Sequence, residues 1–254
     1  MKTFLTLIML LVISTATYAS PVSLKYNDHT RSVMLDRFEG VKDHLFEASQ
    51  VTGIDMAELT AIASLESKLV GNVRNPHGTA SGMLQYTNGT WKHKRKMYAK
   101  ELGLSPNAHQ FNVRANLLIG SKDLQETKES LVKRTHLDYD TLRLGDVYMS
   151  HFLGEDAAVR LINSYSHKPI NKIVKINAGN YRYYYKPNGK IRTAREFRQF
   201  MNKIATDELK VYQAEISKYQ LVKFFEPFQG LMDTLTDAHQ RVAMVARNSS
   251  NNFG

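Results

Sequence analysis

A single glutamate lies on the apolar face of a predicted helix. Leu59, Ile62, Ala63 and Leu69 recur at helical spacing, and Glu66 follows Leu59 by seven residues and Ile62 by four. At 100° per residue this places the Glu66 carboxylate inside the apolar stripe rather than opposite it. The pattern therefore predicts a carboxyl group with little access to water.

Such a carboxyl group is suited to acid catalysis. Loss of solvation favours the neutral form and raises the pKa, and the nearby helix C-terminus acts in the same direction. An acid that stays protonated near neutral pH can donate a proton to the leaving oxygen of a glycosidic bond. Periodicity alone is equally compatible with a structural glutamate that pairs with an arginine or caps a backbone amide.

Local signals predict a mostly helical chain around this residue. Asp55 can cap the helix that carries Glu66, with Glu58 three residues later completing a capping box, and the helix should run to about Leu69. The segment 71–86 is rich in turn formers and predicts an irregular or short β element. Segment 177–192 predicts a loop or hairpin. Further helices are expected over 88–101, 112–128, 141–153, 155–165 and 207–248, the last interrupted near Pro227 and Gly230.

Several motifs follow Glu66 in order. Glu66-Ser67 is followed by Gly78-Thr-Ala-Ser-Gly-Met-Leu-Gln85 and then by Thr90-Trp91. This order resembles the lysozyme-like lytic transglycosylases of the soluble lytic murein transglycosylase type. Their pattern is a Glu-Ser at a helix end, a Gly-x-x-Gly-Leu-Met-Gln turn and a Thr-Trp that opens the next helix. Met83-Leu84 reverses the usual order, a volume-conserving exchange that packing tolerates.

The resemblance extends over about residues 41–200. The stretch 111–120 looks like the family's Arg-x-Asn-x-x-x-Gly helix. Tyr148-Met-Ser-His-Phe-Leu-Gly154 and Thr193-Ala-Arg-Glu-Phe197 are closest in pattern to bacteriophage members, the endolysin-like peptidoglycan-degrading enzymes. Bacterial housekeeping enzymes carry Ala-Tyr-Asn-Ala-Gly in place of the first of these. The resemblance implies an α+β, predominantly helical, lysozyme-like domain with a small β element beside the cleft.

The resemblance also implies a mechanism that uses one carboxylate and no metal or other cofactor. Glu66 would protonate the oxygen that links N-acetylmuramic acid to N-acetylglucosamine, and would then deprotonate the 6-hydroxyl to close a 1,6-anhydro ring. Ser67 would support Glu66, and Gln85 with the backbone of Gly82 and Met83 would hold the sugar.

The family's conserved tyrosine has no obvious equivalent here. Tyr148 is our candidate because Leu144, Tyr148 and His151 share a helical face. The alternatives are Tyr183, Tyr184 and Tyr185. We expect His151 to be a structural or sugar-contacting residue, since neither it nor His77 belongs to a His-x-x-x-His or Glu-x-x-His pair typical of zinc sites.

Two other functions remain compatible with the sequence. Asp146, Glu155 or Asp156 could supply a second carboxylate and make the protein a hydrolytic lysozyme, although their positions favour helix capping. The chain could also be a non-catalytic peptidoglycan-binding protein. A glutamate in an apolar stripe argues against that reading, because the placement is destabilising without a use.

Composition and the N-terminal residues limit the cellular compartments and binding partners that fit this protein. The 254 residues include no cysteine, which excludes disulfide scaffolds, thiolate metal sites and cysteine nucleophiles. The 34 basic and 24 acidic residues give a net charge of +10, which suits an anionic partner. Residues 1–19 show the basic start, apolar stretch and small-residue cleavage site of a secretory signal. We therefore expect export to the periplasm or the cell exterior, and no nucleic-acid partner.

These observations predict three segments: a signal peptide over 1–19, a lysozyme-like transglycosylase domain over 36–205 and a helical extension over 206–254. The expected substrate is the glycan strand of peptidoglycan, and we expect a monomer. The extension either folds back onto the domain or forms an amphipathic arm that contacts a membrane surface or an assembly partner.

Overall fold

A computed structural model describes residues 26–164 and 166–250. The predicted signal peptide, residues 1–19, lies outside these residues. The described part of the chain is predominantly helical, as predicted. Its helices are α1 (Asp28–Glu39), α2 (Lys42–Thr52), α3 (Met56–Ser67), α4 (Asn88–Tyr98), α5 (Val113–Arg134), α6 (Leu144–Leu153), α7 (Glu155–Ile162), α8 (Tyr181–Tyr184) and α9 (Ala194–Ser250).

A small β element joins α3 to α4. It consists of antiparallel bridges between Arg74 and Ser81 and between Ser81 and Tyr86. The predicted loop or hairpin over 177–192 is a mixed structure. A turn of 3-10 helix, Ala178–Asn180, leads into α8, and Tyr185 then bridges Ile191.

Asp55 caps the start of helix α3, and two residues with positive φ angles end it. The Asp55 carboxylate accepts hydrogen bonds from the backbone N–H groups of Ala57 and Glu58, at 2.8 and 3.0 Å, which satisfies amides that the first turn leaves free. At the other end, Lys68 and Leu69 adopt positive φ angles of 57° and 58°, and the helix stops at Ser67. The helix is therefore two residues shorter than predicted.

Helix α3 lies in the middle of the hydrophobic core. Leu59, Ile62 and Ala63 are all fully buried. Helix α9 packs across α3 and α6, while α2 packs against α5. The side of α3 that carries these residues is thus enclosed by neighbouring helices.

A buried polar cluster fastens α9 to α3. The Glu208 carboxylate, which has no exposed surface, accepts hydrogen bonds from the Ser64 hydroxyl and from the Tyr26 hydroxyl. The hydroxyls of Ser64 and Tyr212 lie 2.7 Å apart. Because a buried carboxylate is costly unless its oxygens are satisfied, this cluster holds α9 in one position on α3.

Helix α9 is continuous from Ala194 to Ser250, so the predicted interruption near Pro227 is wrong. A single proline removes one hydrogen bond but can be accommodated as a kink. The predicted boundary at residues 205 and 206 falls inside this helix, and Tyr212 and Ile216 beyond it are buried. None of the helices in segments 26–164 and 166–250 has the length and apolar character needed to cross a bilayer.

The contact between α6 and α9 allows a direct test. Gly145 lies so close to α9 that an added Cβ would be 2.2 Å from the Cα of Asn202. We expect Gly145→Ala to lower the free energy of unfolding by about 1–3 kcal/mol or more, measured by urea or thermal unfolding. Gly78→Ala, at an exposed site with open space around it, is the control and should change little. Equal stability of the two variants would contradict the close packing.

Candidate active site

Glu66 lies in the last complete turn of α3 and is partly buried. Removal of its carboxyl group from water raises its pKa above the ordinary value, as the apolar stripe predicts. Three smaller influences lower the pKa: attraction to His151, a hydrogen bond from Tyr148 and attraction to Lys68. The site therefore favours a protonated carboxyl group while retaining partners for the ionised form.

Helix α6 supplies two of these partners. The Tyr148 side chain is 1 % exposed, and its hydroxyl donates a hydrogen bond to Glu66. His151 follows almost one helical turn later, with its Nε2 atom 3.0 Å from the carbonyl oxygen of Leu84. The structure thus brings Tyr148 and His151 together with Glu66.

The other candidate tyrosines pack against aromatic side chains. Tyr183 hydrogen-bonds to Tyr148, and its ring centroid lies 4.8 Å from that of Phe152. Tyr184 stacks on Phe197, and Tyr185 stacks on Tyr181. Burial and the nearby Glu66 charge raise the pKa of Tyr148 well above its ordinary value, so Tyr148 stays a neutral hydrogen-bond donor.

The turn at Gly82–Gln85 lies against the end of α3. Gly82 has a φ of 80°, and an added Cβ would lie 2.3 Å from the Gln110 carbonyl oxygen, so glycine is required there. The Gln85 side-chain amide donates to the carbonyl oxygens of Gly82 and Val73 at 2.8 and 3.2 Å. The amide nitrogen of Gln85 is therefore engaged in holding the turn.

Ser67 and Met83 connect this turn to the helix. The Ser67 hydroxyl donates to the Ala63 carbonyl at 3.0 Å and lies 3.4 Å from the Met83 sulfur. Both side chains are buried. Ser67 thus joins the end of α3 to the turn, and Met83 can offer a sugar only its backbone.

The sequence motif over residues 111–120 had no predicted role, and the structure shows one. The Asn116 side chain accepts a hydrogen bond from the Leu84 N–H and donates one to the Gln110 carbonyl, both at 2.9 Å. An added Cβ at Gly120 would lie 1.9 Å from the Leu84 side chain. Asn116 and Gly120 are four residues apart, so they lie on one face of α5 and together hold the turn.

Tyr86 is a second residue that sequence reasoning missed. Its buried hydroxyl donates to Asp123 at 2.8 Å, and its ring packs edge-to-face with the His151 ring at a centroid distance of 5.3 Å. His151 is thereby held between the Leu84 carbonyl and the Tyr86 ring.

The three candidate second carboxylates are engaged elsewhere. Asp146 is buried and forms two hydrogen bonds with Arg198, at 2.8 and 2.9 Å. Glu155 and Asp156 both pair with Arg134. These ion pairs give all three acids a structural role in joining helices.

Across residues 26–164 and 166–250, no group of three histidine or acidic side chains is placed to hold a metal ion.

The sequence matches the model of a known protein family. The sequence model described as "Transglycosylase SLT domain" matches residues 43–174, just over half of the chain. The matched segment runs from α2 to beyond α7. It contains Glu66, the turn at 82–85, Asn116, Tyr148 and His151.

The raised pKa of Glu66 makes a prediction about stability. Between the ordinary value of 4.5 and the raised folded value, the folded state binds the proton and the unfolded state does not, so stability falls as pH rises. Glu66→Gln removes this effect. We expect the variant to melt a few degrees above the wild type at pH 8, with the difference shrinking toward pH 4, as measured by calorimetry.

Glu129→Gln serves as the control, because it makes the same chemical change at an exposed site on α5. It should give no comparable pH-dependent gain. A Glu66→Gln protein that is less stable than the wild type at pH 8 would contradict the burial argument.

Proposed function

We propose that Glu66 alone serves as the acid and then as the base of the reaction that this chain catalyses. The premise is that the chain belongs to the SLT transglycosylase domain family, whose members are lytic transglycosylases that cleave glycosidic bonds of peptidoglycan. The bond cleaved would be the β-1,4 link from N-acetylmuramic acid to N-acetylglucosamine. The observation that carries the proposal is the partly buried Glu66 carboxyl group, whose pKa is raised and which Tyr148 and His151 adjoin.

The acid step follows from the burial of Glu66. A carboxyl group with a raised pKa keeps its proton to a higher pH than an ordinary glutamic acid and can deliver it to the bridging oxygen as the bond breaks. Glu66 then becomes a carboxylate, which the Tyr148 hydroxyl and the attraction of His151 and Lys68 stabilise. The same partners thus support the charged form that the first step creates.

The base step returns the enzyme to its starting state. Two-carboxylate glycosidases use the second acid as a nucleophile or to activate water. Here Asp146, Glu155 and Asp156 are all paired with arginines, which favours a mechanism without a second carboxylate. Glu66 would take the proton of the sugar's own 6-hydroxyl, and that oxygen would bond to the anomeric carbon to give a 1,6-anhydro-muramyl product.

The surrounding residues would orient the sugar. The backbone of Gly82 and Met83 would contact it, and Gln85 would hold that backbone in place through the Gly82 carbonyl. His151 would lie at the edge of the site, fixed by Leu84 and Tyr86. Ser67 and Tyr148 would act on Glu66 rather than on the sugar.

We also propose that the enzyme is exported and works on the cell wall. The signal-like residues 1–19 and the net charge of +10 support this location, since wall polymers and lipid headgroups are anionic. The bacteriophage-like stretch from Tyr148 to Gly154 supports a kinship with phage enzymes. In that setting the activity would open or remodel the wall.

Product analysis tests the proposed reaction. Wild-type protein incubated with purified peptidoglycan should release muropeptides with 1,6-anhydro-muramyl ends, detected by mass spectrometry. Glu66→Gln should lower the rate by at least about 10³-fold, because removing the only acid and base costs both proton transfers. Glu129→Gln should keep wild-type activity. Reducing ends in place of anhydro ends would show hydrolysis and overturn the single-glutamate mechanism.

Tyr148→Phe tests the partner of Glu66. The Tyr148 hydrogen bond lowers the pKa of Glu66, so its loss should raise that pKa further and shift the alkaline limb of the pH–activity profile upward. The maximal rate should fall by about tenfold, because the charged form loses one strong hydrogen bond. Tyr139→Phe, at an exposed tyrosine, is the control. An unchanged pH profile for Tyr148→Phe would contradict the role given to this hydroxyl.

A further inference from the structure

The last part of α9 extends beyond the core. Among the described side chains of α9, Tyr219 is the last to contact another helix. Its hydroxyl hydrogen-bonds to Asp43, and its ring packs against Phe46. Beyond it, Val222, Phe224 and Phe228 are 48, 65 and 50 % exposed. We call residues 220–250 the arm. At 1.5 Å per residue, its 31 helical residues extend for about 46 Å.

An arm of this kind needs a partner. Most helical stability in proteins comes from packing an apolar face against another element. Two large exposed phenylalanines are also unusual for a free surface.

The arm sequence has a heptad pattern. Starting at Leu221, steps of three and four residues alternate without a break, and all eight positions reached are apolar. This spacing of 3.5 residues is typical of helices that wind around each other in a left-handed coiled coil. Pro227 and Gly230 fall off this stripe. The eight positions are Leu221, Phe224, Phe228, Leu231, Leu235, Ala238, Val242 and Val245.

The charge of the arm differs from that of the whole chain. It carries three basic and three acidic residues, so its net charge is zero, against +10 for the protein. Helices that bind anionic membranes are instead rich in lysine and arginine on their polar face. None of these six charges lies on the heptad stripe: Lys223, Arg241, Arg247, Glu226, Asp233 and Asp237.

We propose that the arm pairs with the arm of a second copy of this chain in an antiparallel coiled coil. Side-chain size along the stripe supports this direction, since its first four positions are Leu or Phe and its last three are Ala or Val. Pairing two arms head to tail opposes a larger residue with a smaller one in three of the four layers and leucine with leucine in the fourth, which gives even packing. The layers are Leu221 with Val245, Phe224 with Val242, Phe228 with Ala238, and Leu231 with Leu235.

A second copy suits the arm better than another occupant. The antiparallel pair is self-complementary under a two-fold axis, as a closed homodimer requires. Its two phenylalanines alone would bury about 300 Å² or more per chain, a large part of the roughly 800 Å² per partner in standard interfaces. A dimer differs from the monomer expected from the sequence, and it is independent of the reaction proposed for Glu66.

The absence of cysteine in the chain makes a crosslinking test possible. The full-length protein is prepared with Ala238→Cys and, separately, with Phe228→Cys, one of them carrying a mass tag. On mild oxidation the mixture should give a mixed disulfide, because the antiparallel layers place these two positions together. Ala238→Cys alone should give little. Gln240→Cys, on the polar face, replaces Ala238→Cys in the control mixture and should not crosslink.

Sedimentation velocity supplies the second measurement. The wild type should sediment as a dimer at micromolar concentration, and Leu231→Asp with Leu235→Asp should sediment as a monomer that retains a folded core by circular dichroism. A monomeric wild type would overturn the proposal, as would arm-dependent binding of monomers to anionic vesicles. Self-crosslinking of Ala238→Cys would overturn the antiparallel direction.

Discussion

The site depends on a balance between burial and hydrogen bonding at one carboxyl group. Burial raises the pKa of Glu66, whereas the Tyr148 hydroxyl, His151 and Lys68 favour the ionised form. Either influence alone would be of little use: a fully ionised carboxylate has no proton to give, and an acid without partners would release its proton only with difficulty. The other contacts around the site, from the end of α3 to the packing of α6, hold these four side chains in that relation.

The supporting structure is built from backbone geometry as much as from side chains. Left-handed residues at 68 and 69 end α3 immediately after the Glu66-Ser67 pair, and Gly82 and Gln85 bend the following turn back toward it. Asn116 then fixes the turn through the Leu84 amide, and His151 fixes it through the Leu84 carbonyl. Leu84 thus has both of its backbone polar groups bound by side chains from two different helices, which couples α5 and α6 to the turn.

The sequence could predict what depends on local signals. The Asp55 cap, the burial of the Glu66 face and the helical character of the chain all follow from spacing and propensity. Contacts between distant segments could not be derived in that way. Whether Tyr148 or Tyr183 hydrogen-bonds to Glu66 depends on how α8 packs against α6. The role of Asn116 depends on its contact with a turn more than thirty residues earlier in the chain. The continuity of α9 through Pro227 runs against the local propensity, because proline disfavours a helix interior.

The polar cluster around Glu208 has a consequence for where this enzyme begins and ends as a folding unit. The family match stops at residue 174, yet Ser64, two residues from Glu66, bonds to Glu208 and Tyr212 on α9. A chain cut at the end of the matched segment would leave that hydroxyl and the apolar surface around it facing water. The matched region is therefore incomplete as a folding unit without these later residues, and any minimal version of the enzyme must extend at least through Ile216.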